Sequence, residues 1–274
     1  MLLVDAGDFF WRRKLGELRS ETTARALRMM DYDALNVADG ELSFGIDYLS
    51  AIYPGFKHEF LSSNLIKDGN TIYQPFIIKT YNRLKIAVLG VVSPSLVDEV
   101  QLKKDAISVE SPLDALKRLL PDIKKDVDLV LLLSHSGWEN TADLAQKISG
   151  IDIAIVGHAY YNTLEPNRIN DTMVFKNSVG GKHLGVVKIW VDESKKIKNI
   201  KSSLEELSDK IYIYPEFTLP ETEFEKKKQE LSKRNGAEKK HARMMEKFKE
   251  YTKLSPEEFT KKMKETGGTF ETKP

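Results

Sequence analysis

The chain contains no cysteine. That absence excludes disulfides, thiolate metal sites and cysteine nucleophiles, so any metal must be held by His, Asp, Glu, Asn or carbonyl oxygen. The redox compartment stays open. Net charge is nearly missing as well: 42 Lys and Arg stand against 41 Asp and Glu. A balance so close to zero gives no long-range attraction to nucleic acid or anionic lipid, and no nucleic acid is expected as a partner. Long apolar runs are lacking too, and none approaches the roughly 20 residues of a membrane-spanning helix. The opening "MLLVDAGDFFWRRKL" lacks the order of basic, apolar and small residues that makes a signal peptide.

What the 274 residues do provide is room for one large domain or two modest ones. Through the first two thirds, aliphatic runs of strand length alternate with amphipathic stretches, the pattern of a sheet covered by helices. Strands are expected at "LLVDA", "ALNVA", "EFLSSN", "YQPFIIKTY", "LKIAVLGVV", "DLVLLLSH", "IDIAIVGH", "MVFKNS" and "LGVVKIWVD". Helices are expected at "TTARALRMM", "SPLDALKRLLPDI" and "ENTADLAQKIS", with Ser111–Pro112 and Asn140–Thr141 marking starts. Composition shifts near residue 194, which divides the chain into a domain over 1–193, a linker or edge segment over 194–220 and a charged tail over 221–274. In the tail the apolar positions are sparse (Phe224, Leu231, Met244, Met245, Phe248, Phe259, Met263), which suits one or two solvated helices, the second starting at Ser255–Pro256. Such a tail is either a surface appendage or an arm for a protein partner or for self-association.

Four aliphatic strands stop in a potential metal ligand: Asp8, Asp39, His135 and His158. Sites in helix-flanked open sheets gather outside the carboxyl ends of the strands, where loops converge over a rigid edge. Two Asp and two His together would suit Mn, Zn or Fe, and Mg less well. The plain alternative is that each Asp caps or turns and each His is a half-buried, hydrogen-bonded residue. Gly7 and Gly157, immediately before Asp8 and His158, favour the site reading, because glycine lets the backbone turn sharply and present the next side chain.

The ordered segments "LLVDAGDFF", "YDALNVADGELSFG", "FLSSNL", "KIAVLGVVSPS", "DLVLLLSHSG", "GIDIAIVGHAYY" and "VFKNSVGGKHLGVVKIWVD" carry a family signal. The series resembles the catalytic domain of 5′-nucleotidases among the calcineurin-like metallophosphoesterases, over about residues 1 to 193. The resemblance implies a four-layer α/β/β/α sandwich, here N-terminally truncated and with a C-terminal helical extension. It also implies metal-dependent hydrolysis of phosphate esters, nucleotides among them, and an extracytoplasmic setting. The family pattern runs DxH, GD, GNH(E/D), a lone His, then GHxH, so Asp8 matches the carboxylate that bridges two ions, while His135 matches the lone His and His158 the first His of GHxH.

Three departures accompany the matches. The DxH segment would precede Met1, "ADGE" puts Asp39 at the Asn position and Gly40 at the leaving-group His, and "GHAY" puts Tyr160 at the last ligand. Carried over residue by residue, one ion keeps only Asp8, whereas the other keeps Asp8, Asp39, His135 and His158. The resemblance thus implies one divalent ion rather than two, and weak or altered hydrolysis, since losing a general acid costs roughly 10²- to 10⁴-fold. No residue is assigned as catalytic; Glu41 and Tyr160 are the nearest candidates to donate a proton. Asn64 is either a site neighbour or a turn residue, and His183, His58 and His241 read as exposed. The charged tail is too short to supply the base-binding domain that usually accompanies the family. The competing expectations are a non-catalytic metal-binding or partner-binding scaffold of the same fold, and a fragment of a longer protein with an unpaired strand edge where the first strand is missing.

Overall fold

The computed structural model describes residues 1–251, apart from positions 11, 53–59, 161, 162, 164, 179, 209 and 213. In chain order the strands are β1 (Val4–Asp5), β2 (Ala34–Asn36), β3 (Phe60–Leu61), β4 (Leu65–Lys67), β5 (Asn70–Thr71), β6 (Phe76–Tyr81) and β7 (Leu84–Val92). There follow β8 (Ser108–Val109), β9 (Leu129–His135), β10 (Ile153–Ala159), β11 (Asn167–Ile169), β12 (Thr172–Ser178), β13 (His183–Val191) and β14 (Ile197–Glu206). The helices are α1 (Gly16–Met30), α2 (Asp39–Leu42), α3 (Ile46–Ile52), α4 (Glu99–Asp105), α5 (Pro112–Asp126), α6 (Gly137–Lys147) and α7 (Thr218–Tyr251).

The central sheet has the order β11-β12-β10-β9-β7-β6, parallel from β12 to β7 and antiparallel at both edges. Strand β9, "LVLLLSH", is buried at every position, as a strand covered on both faces must be. Its alternate residues serve two cores. Val130 and Leu132 pack with Leu116, Leu120 and Ile123 of α5 and Leu144 of α6. Leu131 and Leu133 point the other way, into a core shared with Val4, Ala34 and Leu61 of the small parallel sheet β1-β2-β3 and with Val187 and Ile200 of the β13–β14 hairpin. The outer face of the small sheet, Leu35 with Val37 beyond it, packs on Ala24 and Leu27 of α1 and Leu49 of α3. These layers make the expected α/β/β/α sandwich, with the carboxyl ends of β2, β9 and β10 free to carry loops.

Among the described residues β1 pairs only with β2, and a cavity of about 200 Å³ lies against Leu2 and Val4, closed by Phe175 and Val187. Two sequence expectations shift. Helix α6 begins at Gly137, a turn before Asn140–Thr141. Thr141 is instead a buried interior residue whose hydroxyl donates to the Gly137 carbonyl and meets Ser134 Oγ at 2.8 Å. The stretch after residue 194 contains a full strand, β14, paired along the length of β13.

The residues from Thr222 onward form a separate compact unit. Its described part is the body of α7, where the charged side chains over 221–240 are exposed and partly paired, as Lys228 with Glu225 at 2.8 Å and Arg234 with Glu238 at 3.4 Å. His241 is exposed on it. The helix start expected at Ser255–Pro256, with Phe259 and Met263, lies outside the described residues, as does His58. Among the described residues no helix is long and apolar enough to cross a membrane.

Candidate metal centre

Strand β1 leads through Gly7 to Asp8, and both residues adopt left-handed backbone conformations, with φ of 98° and 66°. Gly7 has no alternative: a Cβ there would lie 2.6 Å from the Ala38 Cβ and 2.8 Å from the Asn36 carbonyl oxygen. At Asp8 the same conformation is strained for a residue with a side chain, and such strain is held where a site needs it. Glu41 does the holding. Fully buried, it accepts hydrogen bonds from four backbone N–H groups: Asp8 (2.9 Å), Phe9 (2.8 Å), Phe10 (3.1 Å) and Ala38 (2.9 Å). Burial pushes its carboxyl up to about 7 despite these donors. With both oxygens engaged by backbone N–H groups, Glu41 is the anchor of the Asp8 loop.

Asp39 opens α2 and His135 closes β9. One ligand atom each from Asp8, Asp39 and His135 lies within 4.8 Å of the others. His135 Nε2 stands 3.2 Å from Asp39 Oδ1 without hydrogen-bond geometry, and Asp39 Oδ1 and both ring nitrogens of His135 are buried with no hydrogen-bond partner. His135 is only 2% exposed. A buried polar atom left unsatisfied costs about 1–3 kcal/mol; Asp39 Oδ1 and His135 Nε2 have only each other, as an ion pair when the ring is protonated, and His135 Nδ1 has no hydrogen-bond partner, so the pair suits a cation bound between them.

His158 lies beside this cluster and not within it. Its ring centroid is 5.5 Å from that of His135, at 70°. Contrary to the expectation for Gly157, the left-handed residue is His158 itself, with φ of 56°. Gly157 is required for a different reason, since a Cβ on it would sit 2.6 Å from His135 Nδ1 and 3.2 Å from the Ala6 Cβ. The glycine admits the imidazole. Gly40 is likewise crowded, and a Cβ there would collide with Asp8 Oδ1.

Charges around the cluster are sharply unbalanced. Burial and then the Asp39 charge raise the Asp8 carboxyl above its ordinary value. Asp39 moves the other way: burial opposes ionisation, but His135 and Arg12 together hold its carboxyl low. His135 is raised against its own burial by Asp39, Glu41 and Asp8, which means that this ring nitrogen sits in a field that favours a cation. Burial also raises Asp5, which accepts a hydrogen bond from the Gly7 N–H.

Arg12, absent from the sequence reading, is the cation already there. Its Nη2 is 2.7 Å from Asp39 Oδ2 and 4.0 Å from Asp8 Oδ1. The only hint in the sequence is its position four residues after Asp8, which does not distinguish it from Arg13 or Lys14. The remaining candidates have other duties. Asn64 is a structural clamp: its amide donates to the carbonyls of Val92 and Glu110, and its oxygen accepts from the Val92 N–H. Tyr160 is 82% exposed, its ring 6.2 Å from that of His158. His183 is half-buried at the start of β13, opposite Glu206.

Known proteins align with this fold and these segments. No family model matches the chain. Among curated proteins, the trifunctional nucleotide phosphoesterase protein YfkN of Bacillus subtilis is 26% identical over 262 residues, 77% of this chain and 18% of that protein. A 2′,3′-cyclic-nucleotide 2′-phosphodiesterase/3′-nucleotidase of Salmonella typhimurium is 25% identical, covering 58% of this chain and 29% of that protein. The chain thus spans less than a third of these relatives' length. Among solved structures, the sulfate thiohydrolase SoxB of Thermus thermophilus superposes with a TM-score of 0.75 at 23% identity, over 84% of this chain and 43% of that one. The calcineurin-like phosphoesterase YfkN of Bacillus subtilis superposes with a TM-score of 0.71 at 23% identity, over 84% of each chain.

Proposed function

The chain has the metallophosphoesterase fold, and its homologues are 5′-nucleotidase-type and calcineurin-like enzymes at low identity; from that premise we propose that it holds one divalent cation on Asp8, Asp39 and His135, with the adjoining His158 turning in as the fourth ligand, and hydrolyses phosphate esters weakly. The observation that carries the reading is the set of orphaned buried atoms on His135 and Asp39. An imidazole nitrogen facing two carboxylates suits Mn, Zn or Fe, so the residues present fit the group. When bound, such an ion polarises a phosphoryl oxygen and lowers the pKa of its water.

The chain's own residues set the limits of the activity. Asp39, held ionised, is the permanent carboxylate of the site. Gly40 has no proton to give to a leaving group, and Glu41 is fully engaged with backbone N–H groups. Leaving-group protonation then falls to water or to the exposed Tyr160 hydroxyl, a loss of roughly 10²- to 10⁴-fold relative to a placed acid. Nucleotides are the substrate class to test first, because the curated relatives act on them; an extracytoplasmic location and a partner-binding or self-associating tail belong to the same reading. Gly40 favours one second reading, a non-catalytic metal-binding scaffold, because its crowding by Asp8 leaves no space for a side chain in place.

Elemental analysis of metal-purged protein reloaded with Mn or Zn, alongside hydrolysis of an aryl phosphate, tests both. One equivalent bound, with turnover that disappears in Asp39→Ala, is the expected result. One equivalent without turnover selects the scaffold. No binding overturns the site.

A further inference from the structure

The Arg12 guanidinium is half-exposed, with 47% of its side chain open, yet its partner Asp39 is 3% exposed. Ion pairs between two exposed side chains contribute little, but this one bonds a buried carboxylate at 2.7 Å while its second neighbour is Asp8 at 4.0 Å. Arg12 therefore reaches from the open side onto the same two carboxylates that face His135. The guanidinium has five N–H donors in a planar fork. With one nitrogen on Asp39 and nearly half of the side chain in solvent, donors remain for an incoming anion.

We propose that Arg12 serves as the second cation of this site: it neutralises Asp8 and Asp39 from the open side, restricts the cluster to one metal ion, and presents its free N–H groups to a phosphate oxygen. The inference rests on the one-ion reading above, although Arg12 makes its contacts in the structure whether or not a metal joins it. The charge arithmetic is direct. A guanidinium a few ångströms from a divalent ion repels it even in a high effective dielectric, enough to weaken metal binding by roughly tenfold. Against a phosphate dianion the same charge attracts, and a guanidinium matches the paired oxygens geometrically.

The test is calorimetric titration of the full chain with Mn and no substrate, in wild type, Arg12→Gln and Arg12→Lys, followed by titration of inorganic phosphate at metal saturation. The expected result is one Mn equivalent in wild type, and in Arg12→Gln either binding roughly tenfold tighter or a second equivalent. Phosphate affinity should fall roughly tenfold in Arg12→Gln and less in Arg12→Lys, which keeps the charge but loses the fork. Wild-type binding with unchanged Mn affinity and stoichiometry in Arg12→Gln overturns the inference and leaves the metal site standing. Altered Mn binding with unchanged phosphate affinity also overturns it, reducing Arg12 to a competitor. Mn binding only in Arg12→Gln supports it and overturns the one-ion reading instead; no Mn binding in any variant overturns both. Arg12→Lys separates a charge effect from misfolding, since it must resemble wild type in the Mn titration.

Discussion

Replacing Glu41 by Gln isolates the device that places Asp8. Each Glu41 oxygen accepts two backbone N–H groups: Oε1 those of Phe9 and Phe10, Oε2 those of Asp8 and Ala38. In Glu41→Gln one oxygen becomes an NH₂, so whichever way the amide turns, two N–H donors face a donor. Two hydrogen bonds to a charged acceptor are worth about 3–6 kcal/mol, and burying a neutral amide instead of a carboxylate offsets part of this. The net expectation is a loss of about 2 kcal/mol or more. Urea unfolding at pH 8, above the value of about 7 to which burial pushes this carboxyl, should show a lower midpoint at an unchanged slope. Mn affinity should fall as well, because the left-handed Asp8 would lose the contact that keeps it in place. A Glu41→Gln protein as stable as wild type would refute the reasoning, since the two N–H groups that face the new NH₂ would then have been satisfied some other way.

Three further outcomes follow from the same geometry. Gly157→Ala places a methyl against His135 Nδ1 and Ala6, and should cost about 1–3 kcal/mol in chemical denaturation with weakened metal binding; an unaffected protein would mean that the imidazole is free to move aside. Asn64→Ala removes the clamp on Val92 and Glu110 and should cost about 2–3 kcal/mol, by roughly 1 kcal/mol per bond, while Mn affinity measured by calorimetry stays the same. Chelation should lower the thermal midpoint of metal-loaded protein: metal at 100 times its dissociation constant stabilises by about 2.7 kcal/mol, which is roughly 5–10 °C for a domain of this size. A midpoint that chelator does not move would count against the centre.

The division between sequence and structure follows the range of the forces involved. Strands with one or two covered faces write themselves into local composition, which is why β7, β9, β10 and β13 are legible as aliphatic runs. Strand β14 was obscured because its exposed face carries Lys, Asn, Ser and Glu, so only Ile197, Ile200 and Leu204 on the inner side signal it. Helices α2, α3 and α4 are at most seven residues long, too short to establish a helical period. For Asp8, Asp39 and His135, position at strand ends marked the ligand types, but β1 and β2 belong to one sheet and β9 to another, so their meeting depends on how the two sheets pack.

What the tertiary structure alone decided is how those ends are held and charged. Glu41 meets the N–H groups of residues 8 to 10 across more than thirty positions of chain, Gly157 makes space for a ring that belongs to another strand, and Arg12 reaches Asp39 from a loop whose sequence looks like any basic turn. His158, expected in the cluster, stands one ring away from it. Local composition determined the strands and put the ligand types at their ends, because burial acts on every residue of a run. The partners of each ligand were settled by packing between distant segments, because a hydrogen bond or an ion pair depends on a few tenths of an ångström that no single stretch of chain encodes.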